Sequence, residues 1–278
     1  PTTVAVHTDA IELNYFDGAN AQISTRDLQG TGVNPALLEI SEAPSYDFGT
    51  VATGSSNLHL FTVTNTGGFP ATAIADGLGL AAPFGFSGGS FPGAAGNCAA
   101  TLAVGANCLV EIEYAPTVAN DDADTIDISY NNGVIVTNTT RDMTGNAVVP
   151  ALINITETDP YDFGTVATGG AISHVFTLSN TGGVPATALA EIGLAAPFAF
   201  TGGAFPGTAG TCTGTLANAA SCDIEVEFAP TLNGLQADSI EIQYNNGSSV
   251  VSSARDIQVT GDAPALLTIS ELDPYDYG

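Results

Sequence analysis

Four cysteines stand at two equal spacings. Nine residues separate Cys98 from Cys108, and nine separate Cys212 from Cys222. Thiols so placed suit either a disulfide in an oxidising compartment or a pair of soft metal ligands. Zinc sites favour a C-x2-C spacing and four ligands, and no histidine stands near either pair. Two short-range disulfides are therefore the expected chemistry. They would leave no thiolate for nucleophilic catalysis.

The three arginines are the next residues with a defined spacing. Arg26, Arg141 and Arg255 are each followed by aspartate, at intervals of 115 and 114 residues. A guanidinium in a repeated position suits a structural ion pair, made with acids on a neighbouring strand or on the next domain. A ligand-binding arginine is the alternative. Eight residues separate each arginine from the following Pro-Ala-Leu, which makes a contact at the domain junction the specific expectation.

Carboxylates are the remaining candidates. Asp121, Asp122 and Asp124 crowd one segment, whose counterpart further on keeps only Asp238. A second set recurs as Glu39, Glu42 and Asp47, then Glu157, Asp159 and Asp162, then Glu271, Asp273 and Asp276. Acids at domain junctions can hold calcium and stiffen an array. No EF-hand spacing is present, so solvated acids are the first expectation and calcium the second; no other cofactor is implied. His59 and His174 occupy equivalent positions on strand faces shared with Phe61 and Phe176, as histidines at the rim of a core. No Gly-x-Ser-x-Gly elbow and no phosphate-loop lysine accompany them.

These residues must be positioned by a repeat. Pro35-Ala-Leu-Leu-Glu-Ile returns as Pro150-Ala-Leu-Ile-Asn-Ile and as Pro264-Ala-Leu-Leu-Thr-Ile. Tyr46-Asp-Phe-Gly-Thr-Val-Ala-Thr-Gly54 returns unchanged at 161–169, and its third copy starts at Tyr275. The organisation expected is the end of one repeat at 1–34, whole repeats at 35–149 and 150–263, and the head of another at 264–278. A period near 115 suits an independent β-sandwich better than a solenoid unit.

Alternation of apolar and polar residues marks the strands. In Val110-Glu-Ile-Glu-Tyr114 the apolar residues face a core, and Glu111 and Glu113 face water. Phe61-Thr-Val-Thr64 and Ile126-Asp-Ile-Ser-Tyr130 read the same way. Asn131-Asn-Gly133 and Asn245-Asn-Gly247 supply tight turns. One helical turn is allowed within the alanine-rich 186–196. Each cysteine bridge would clamp a hairpin, a constraint worth roughly 3 kcal/mol in the chain-entropy model.

The ordered set Phe-Thr-Val-Thr-Asn-Thr-Gly-Gly, Cys-x3-Leu-x5-Cys, alternating strand, Ala-Pro-Thr and Tyr-Asn-Asn-Gly resembles bacterial surface immunoglobulin-like repeats. These are the choice-of-anchor D domains, related to the Hydin and major-sperm-protein domains. The resemblance implies tandem seven-stranded sandwiches in a large secreted or surface-anchored protein. It carries no catalytic residues.

The charge balance limits the partners. With 29 acids, three arginines and no lysine the formal net charge is −26, which repels phosphate and anionic lipid. Nucleic acid is excluded as a partner. No apolar run reaches the ~18 residues needed for a membrane-spanning helix. The expected role is structural: a stalk, adhesin or self-assembling filament at the cell surface, touching neighbouring copies or adjacent repeats. A module binding a glycan or protein through its aromatic loops is the alternative, and no enzyme is expected.

Overall fold

The computed structural model describes residues 3–42 and 44–270. Glu271, Asp273, Asp276 and the motif copy at 275–278 lie outside the described residues. Two compact units emerge, one of residues up to 49 together with 56–146, the other of residues 50–55 together with those from 147 onward.

The first unit opens on a hairpin of β1 (Val6–Phe16) and β2 (Ala21–Thr31), in antiparallel register from Val6 opposite Thr31 to Phe16 opposite Ala21. Asp17 shapes its turn by accepting the amides of Ala19 and Asn20. Then follow β3 (Leu38–Ile40), β4 (Ser45–Ala52), β5 (Asn57–Asn65), β6 (Ala71–Asp76), β7 (Phe84–Phe86), β8 (Thr101–Leu102), β9 (Asn107–Tyr114), β10 (Asp121–Asn131) and β11 (Val136–Val148). These form two sheets, a four-stranded one in the order β3-β5-β9-β7 and a five-stranded one in the order β4-β11-β10-β6-β8.

The second unit repeats this layout. Its strands are β12 (Ile153–Ile155), β13 (Tyr161–Ala167), β14 (Ile172–Asn180), β15 (Ala186–Glu191), β16 (Phe198–Phe200), β17 (Thr215–Leu216), β18 (Ser221–Phe228), β19 (Gly234–Asn245) and β20 (Val250–Asp262). The sheets run β12-β14-β18-β16 and β13-β20-β19-β15-β17. All pairings are antiparallel except β13 with β20, which is parallel.

Alternation places the core as expected. Phe61, Val63, Val110, Ile112, Tyr114, Ile126 and Ile128 are fully buried in the first unit, and Phe176, Leu178, Ile224, Val226, Phe228, Ile240 and Ile242 in the second. At ~25 cal/mol per Å2 of apolar surface, such strands are held by burial more than by their hydrogen bonds. The chain is an all-β array of immunoglobulin-like sandwiches.

Two expectations need correction. Each sandwich has nine strands, not seven, because the first strand divides between the sheets and a two-residue strand, β8 or β17, is added at the edge of the five-stranded sheet. β3 pairs with β5, the chain turns through Glu42 at φ 59°, and β4 joins β11 in the other sheet. The alanine-rich 186–196 forms no helical turn: residues 186–191 are β15, because Ala186 and Leu189 are needed in the core. The only helical turns among the described residues are 3-10 turns at Ser87–Gly89 and Thr201–Gly203.

Candidate functional site

Every residue type singled out for chemistry is used to hold a sandwich together. Cys98 is bonded to Cys108 and Cys212 to Cys222, each with a Cα separation of 4.9 Å. Cys108 and Cys222 lie at the starts of β9 and β18, opposite Val63 and Leu178. The bridge does not clamp a hairpin as expected, because β8 and β9, like β17 and β18, belong to different sheets; it ties the loop ahead of β8 or β17 to the start of β9 or β18, and no free cysteine is present among the described residues.

The arginines of the whole repeats reach back about 100 residues within their own sandwich. Arg141 donates from Nη1 to the Pro44 carbonyl at 2.9 Å and from Nη2 to the Ile40 carbonyl. Arg255 donates from Nη2 to the Ile155 carbonyl at 2.5 Å, and its Nη1 lies 3.2 Å from Asp159 Oδ2. The guanidinium therefore clamps the turn that divides the first strand between the two sheets. The expected ion pair exists at Arg255. At Arg141 the contact is to carbonyls instead, because Pro44 occupies the position that Asp159 holds in the second repeat. Arg26 sits exposed on β2, opposite Ile11.

A second pair of anchors carries no charge. Asn65 is fully buried at the end of β5. Its Oδ1 accepts the amides of Leu37 and Gly67, and its Nδ2 donates to the carbonyls of Phe69 and Leu102. Asn180 repeats this with Leu152, Gly182, Val184 and Leu216. One amide thereby satisfies backbone groups on three separate segments. Across the core, the hydroxyls of Tyr130 and Tyr244 accept the amides of Leu38 and Ile153 at 3.2 and 3.1 Å. The sequence places these four residues in turns and on core faces but gives no sign of the bonds they make.

Glu111 corrects the alternation argument. Alternation assigns it to water, yet it is 9% exposed. The glycine-rich loop 87–97 folds over that face, and the carboxylate accepts the Ser87 hydroxyl at 2.7 Å and the Ala95 amide at 3.0 Å. Glu225 does the same for Thr201 and Ala209, and also accepts the Ser173 hydroxyl. These donors favour the ionised form, so both carboxyls titrate below their ordinary value of 4.5. The spacing of serine or threonine and of small residues ahead of the acid is visible in the sequence, but the loop's return is not.

The acidic segments are likewise occupied. Asp122 accepts the Tyr114 hydroxyl at 2.8 Å, and burial together with this bond raises the phenol's pKa. Asp124 accepts the Ala81 amide and Asp238 the Ala195 amide, both at 2.8 Å. Glu157 accepts the Thr177 amide, Asp47 that of Gly49 and Asp162 that of Gly164. Among the described residues no group of three or more potential ligands could hold a metal ion. His59 stacks on Tyr46 at 3.8 Å with Glu42 3.5 Å away, and His174 stacks on Tyr161 and meets its hydroxyl at 2.9 Å. A groove of about 380 Å3 beside Pro83 and Pro116 offers one carboxylate, Asp122, already engaged by Tyr114.

Residues 155–259 match the HYDIN/CFA65/VesB-like, Ig-like domain family. Its immunoglobulin-like character is shared by the chain. No curated protein matches the chain. Among solved structures, a protein of unknown function from Porphyromonas gingivalis W83 is 11% identical, covers 81% of this chain and 99% of its own, and has a TM-score of 0.32. The Vibrio cholerae VesB protease is 19% identical over 40% of this chain and 32% of its own, at a TM-score of 0.30. The PapD-like domain 7 of human CEP192 is 17% identical over 40% of this chain and 85% of its own, also at 0.30. At such TM-scores these likenesses carry no functional weight. No helix among the described residues is long and apolar enough to cross a membrane.

Proposed function

We propose that the chain is a structural segment of a long extracellular repeat protein of the choice-of-anchor D type, a stalk, adhesin or filament in which each sandwich is one link. The observation that carries this reading is that the reactive side chains are spent on architecture, twice over and in the same places. Cysteines staple, arginines and buried asparagines tie strand ends, and Glu111 and Glu225 hold a loop. A catalytic site needs groups free to meet a substrate, which makes an enzyme the least supported class. Disulfides fit an oxidising, extracellular setting.

The alternative, a module that binds a glycan or protein through its aromatic loops, is less supported. Phe84 is buried against Tyr114, and Phe86 packs edge-on to Phe91 at 5.5 Å. Phe200 and Phe205 repeat that contact at 5.6 Å. The rings thus face their own sandwich. Electron microscopy of the longest native form tests the proposal. Extended strings or filaments with a regular subunit repeat are expected, and a compact particle contradicts the reading.

A further inference from the structure

β9 and β18 have a strand on both sides for only part of their length. β7 pairs with β9 no further than Phe86 opposite Ile112, and β16 with β18 no further than Phe200 opposite Val226. Beyond that point the loop that leaves each short strand turns back along the open edge. The Glu225 amide donates to the Pro206 carbonyl at 2.8 Å, and the Asp223 carbonyl accepts the amides of Thr211 and Cys212 at 2.8 and 3.1 Å. The Asp223 amide donates to Thr211 Oγ1 at 2.9 Å. In the first repeat the Glu111 amide uses the Pro92 carbonyl, and the Leu109 carbonyl accepts the amides of Asn97 and Cys98. The Leu109 amide donates to Asn97 Oδ1 at 2.7 Å, so a threonine and an asparagine make one bond at equivalent positions. The loop takes the hydrogen bonds that an added strand would take.

It takes them without forming a strand and with little burial. A Cβ on Gly207 would lie 2.4 Å from the Glu225 carbonyl oxygen, and one on Gly93 2.4 Å from that of Glu111, so only glycine lets the backbone run this close. Gly202, Gly203, Ala204, Thr208, Ala209 and Thr211 are exposed. The segment 201–212 is held by Phe205 edge-on to Phe200, by the Glu225 carboxylate, and by the Cys212–Cys222 bond at its far end. Cys222 is only partly buried. A dithiol reduces such a bond by two successive exchanges, its own thiols becoming one disulfide while both cysteines become thiols. The far end of the segment is then free.

We propose that this segment is an autoinhibitory guard over a strand-accepting edge, and that its release lets β18 pair with an extended basic peptide of another protein. Side chains alternate along a strand, so Asp223, Glu225 and Glu227 share the outer face of β18. Basic side chains at every second position of an added strand would stand opposite them. The chain has three arginines and no lysine, so a second copy of itself offers no such segment. In the first repeat Leu109 stands in the place of Asp223, and Glu111 and Glu113 leave a weaker version of the edge. The inference holds whether the chain is a stalk, an adhesin or a filament.

The experiment measures binding of a fluorescent peptide alternating lysine and valine to the full chain by anisotropy, before and after treatment with a dithiol. The reduced chain should bind about tenfold tighter than the oxidised one. The same peptide N-methylated at alternate amides cannot join a ladder and should bind both forms equally weakly. Gly207→Ala, read with the disulfides intact, should raise the affinity for the unmethylated peptide likewise and keep a cooperative melt. Hydrogen exchange at the amides of Asp223 and Glu225 should quicken in both cases. Equal affinity in both redox states and in Gly207→Ala overturns the proposal. So does a gain that the N-methylated peptide shares, which would be attraction to the net charge of −26 alone. Self-association of the reduced chain in place of peptide binding would name a second copy as the occupant and overturn it too. Loss of the cooperative melt both on reduction and in Gly207→Ala would make the segment part of the sandwich rather than a releasable guard.

Discussion

Asn65 and Asn180 show how one side chain can decide a fold locally. Each sits at the end of a core strand with both amide groups engaged. Alanine there leaves buried carbonyls and amides without partners, at about 3 kcal/mol for the set. Chemical denaturation of Asn180→Ala should show that loss in the second unit, and Asn180→Asp should not restore it, since a carboxylate cannot donate to the Val184 and Leu216 carbonyls. Glu111 and Glu225 make a pH prediction. Their folded-state pKa values are depressed, so their stabilisation is fully present above the ordinary value of 4.5 and is lost as pH falls through the folded values. Glu111→Gln, Glu225→Gln should therefore flatten the fall in denaturation midpoint on acidification below that value. A double variant as acid-sensitive as the parent would contradict the role. At this scale the sequence is only partly legible. The cysteine pairs can be read because spacing alone limits what two thiols can do. The Glu111 burial cannot, since it depends on a glycine-rich loop returning over a strand face that alternation assigns to solvent.

At the scale of elements, alternation and turn residues locate the main strands, because a strand with one buried face must alternate. Val110-Glu-Ile-Glu-Tyr114 and Ile126-Asp-Ile-Ser-Tyr130 put their apolar residues where the core is. The division of the first strand is not legible, since Leu38–Ile40 and Ser45–Ala52 look like one interrupted strand until their partners are known. The arginine clamp belongs to that division. Its expected contact across a domain junction gives way to one inside each repeat, because the turn between β3 and β4 presents carbonyls within reach of Arg141. The hairpin β1–β2 repeats the alternation of β10 with its faces exposed. Ile11, Leu13 and Tyr15 are 48%, 63% and 54% exposed, whereas their counterparts Ile126, Ile128 and Tyr130 are at most 2% exposed. Packing across the two sheets can be tested at Gly145. Its hypothetical Cβ lies 2.6 Å from the Tyr114 ring, so Gly145→Ala should overpack the core at a cost of about 1–3 kcal/mol. Gly145→Ala combined with Tyr114→Phe should remain destabilised, since the clash is with ring carbons. An unchanged midpoint for Gly145→Ala would contradict the packing.

For the whole molecule, charge and staples set the behaviour. A net charge of −26 repels itself over the full surface, and salt screens that repulsion. The melting temperature should rise with sodium chloride, and calcium at equal ionic strength should add nothing, since Asp122, Asp124 and Asp238 already accept protein donors. An extra rise with calcium, reversed by chelator, would reinstate the junction site that the recurring acids suggest. The repeat period, and with it the array, is the most legible property, since it needs only the sequence compared with itself.

The central proposal is that the repeats at 35–149 and 150–263 are successive, disulfide-stapled links. Stretching single molecules between handles at the two ends tests it most directly. Two unfolding events of equal length are expected under oxidising conditions. Reduction should lengthen each by about 30 Å, the extended length of the 10-residue span that each bridge closes. A single event that removes both repeats together, or one whose length ignores reduction, would contradict the account.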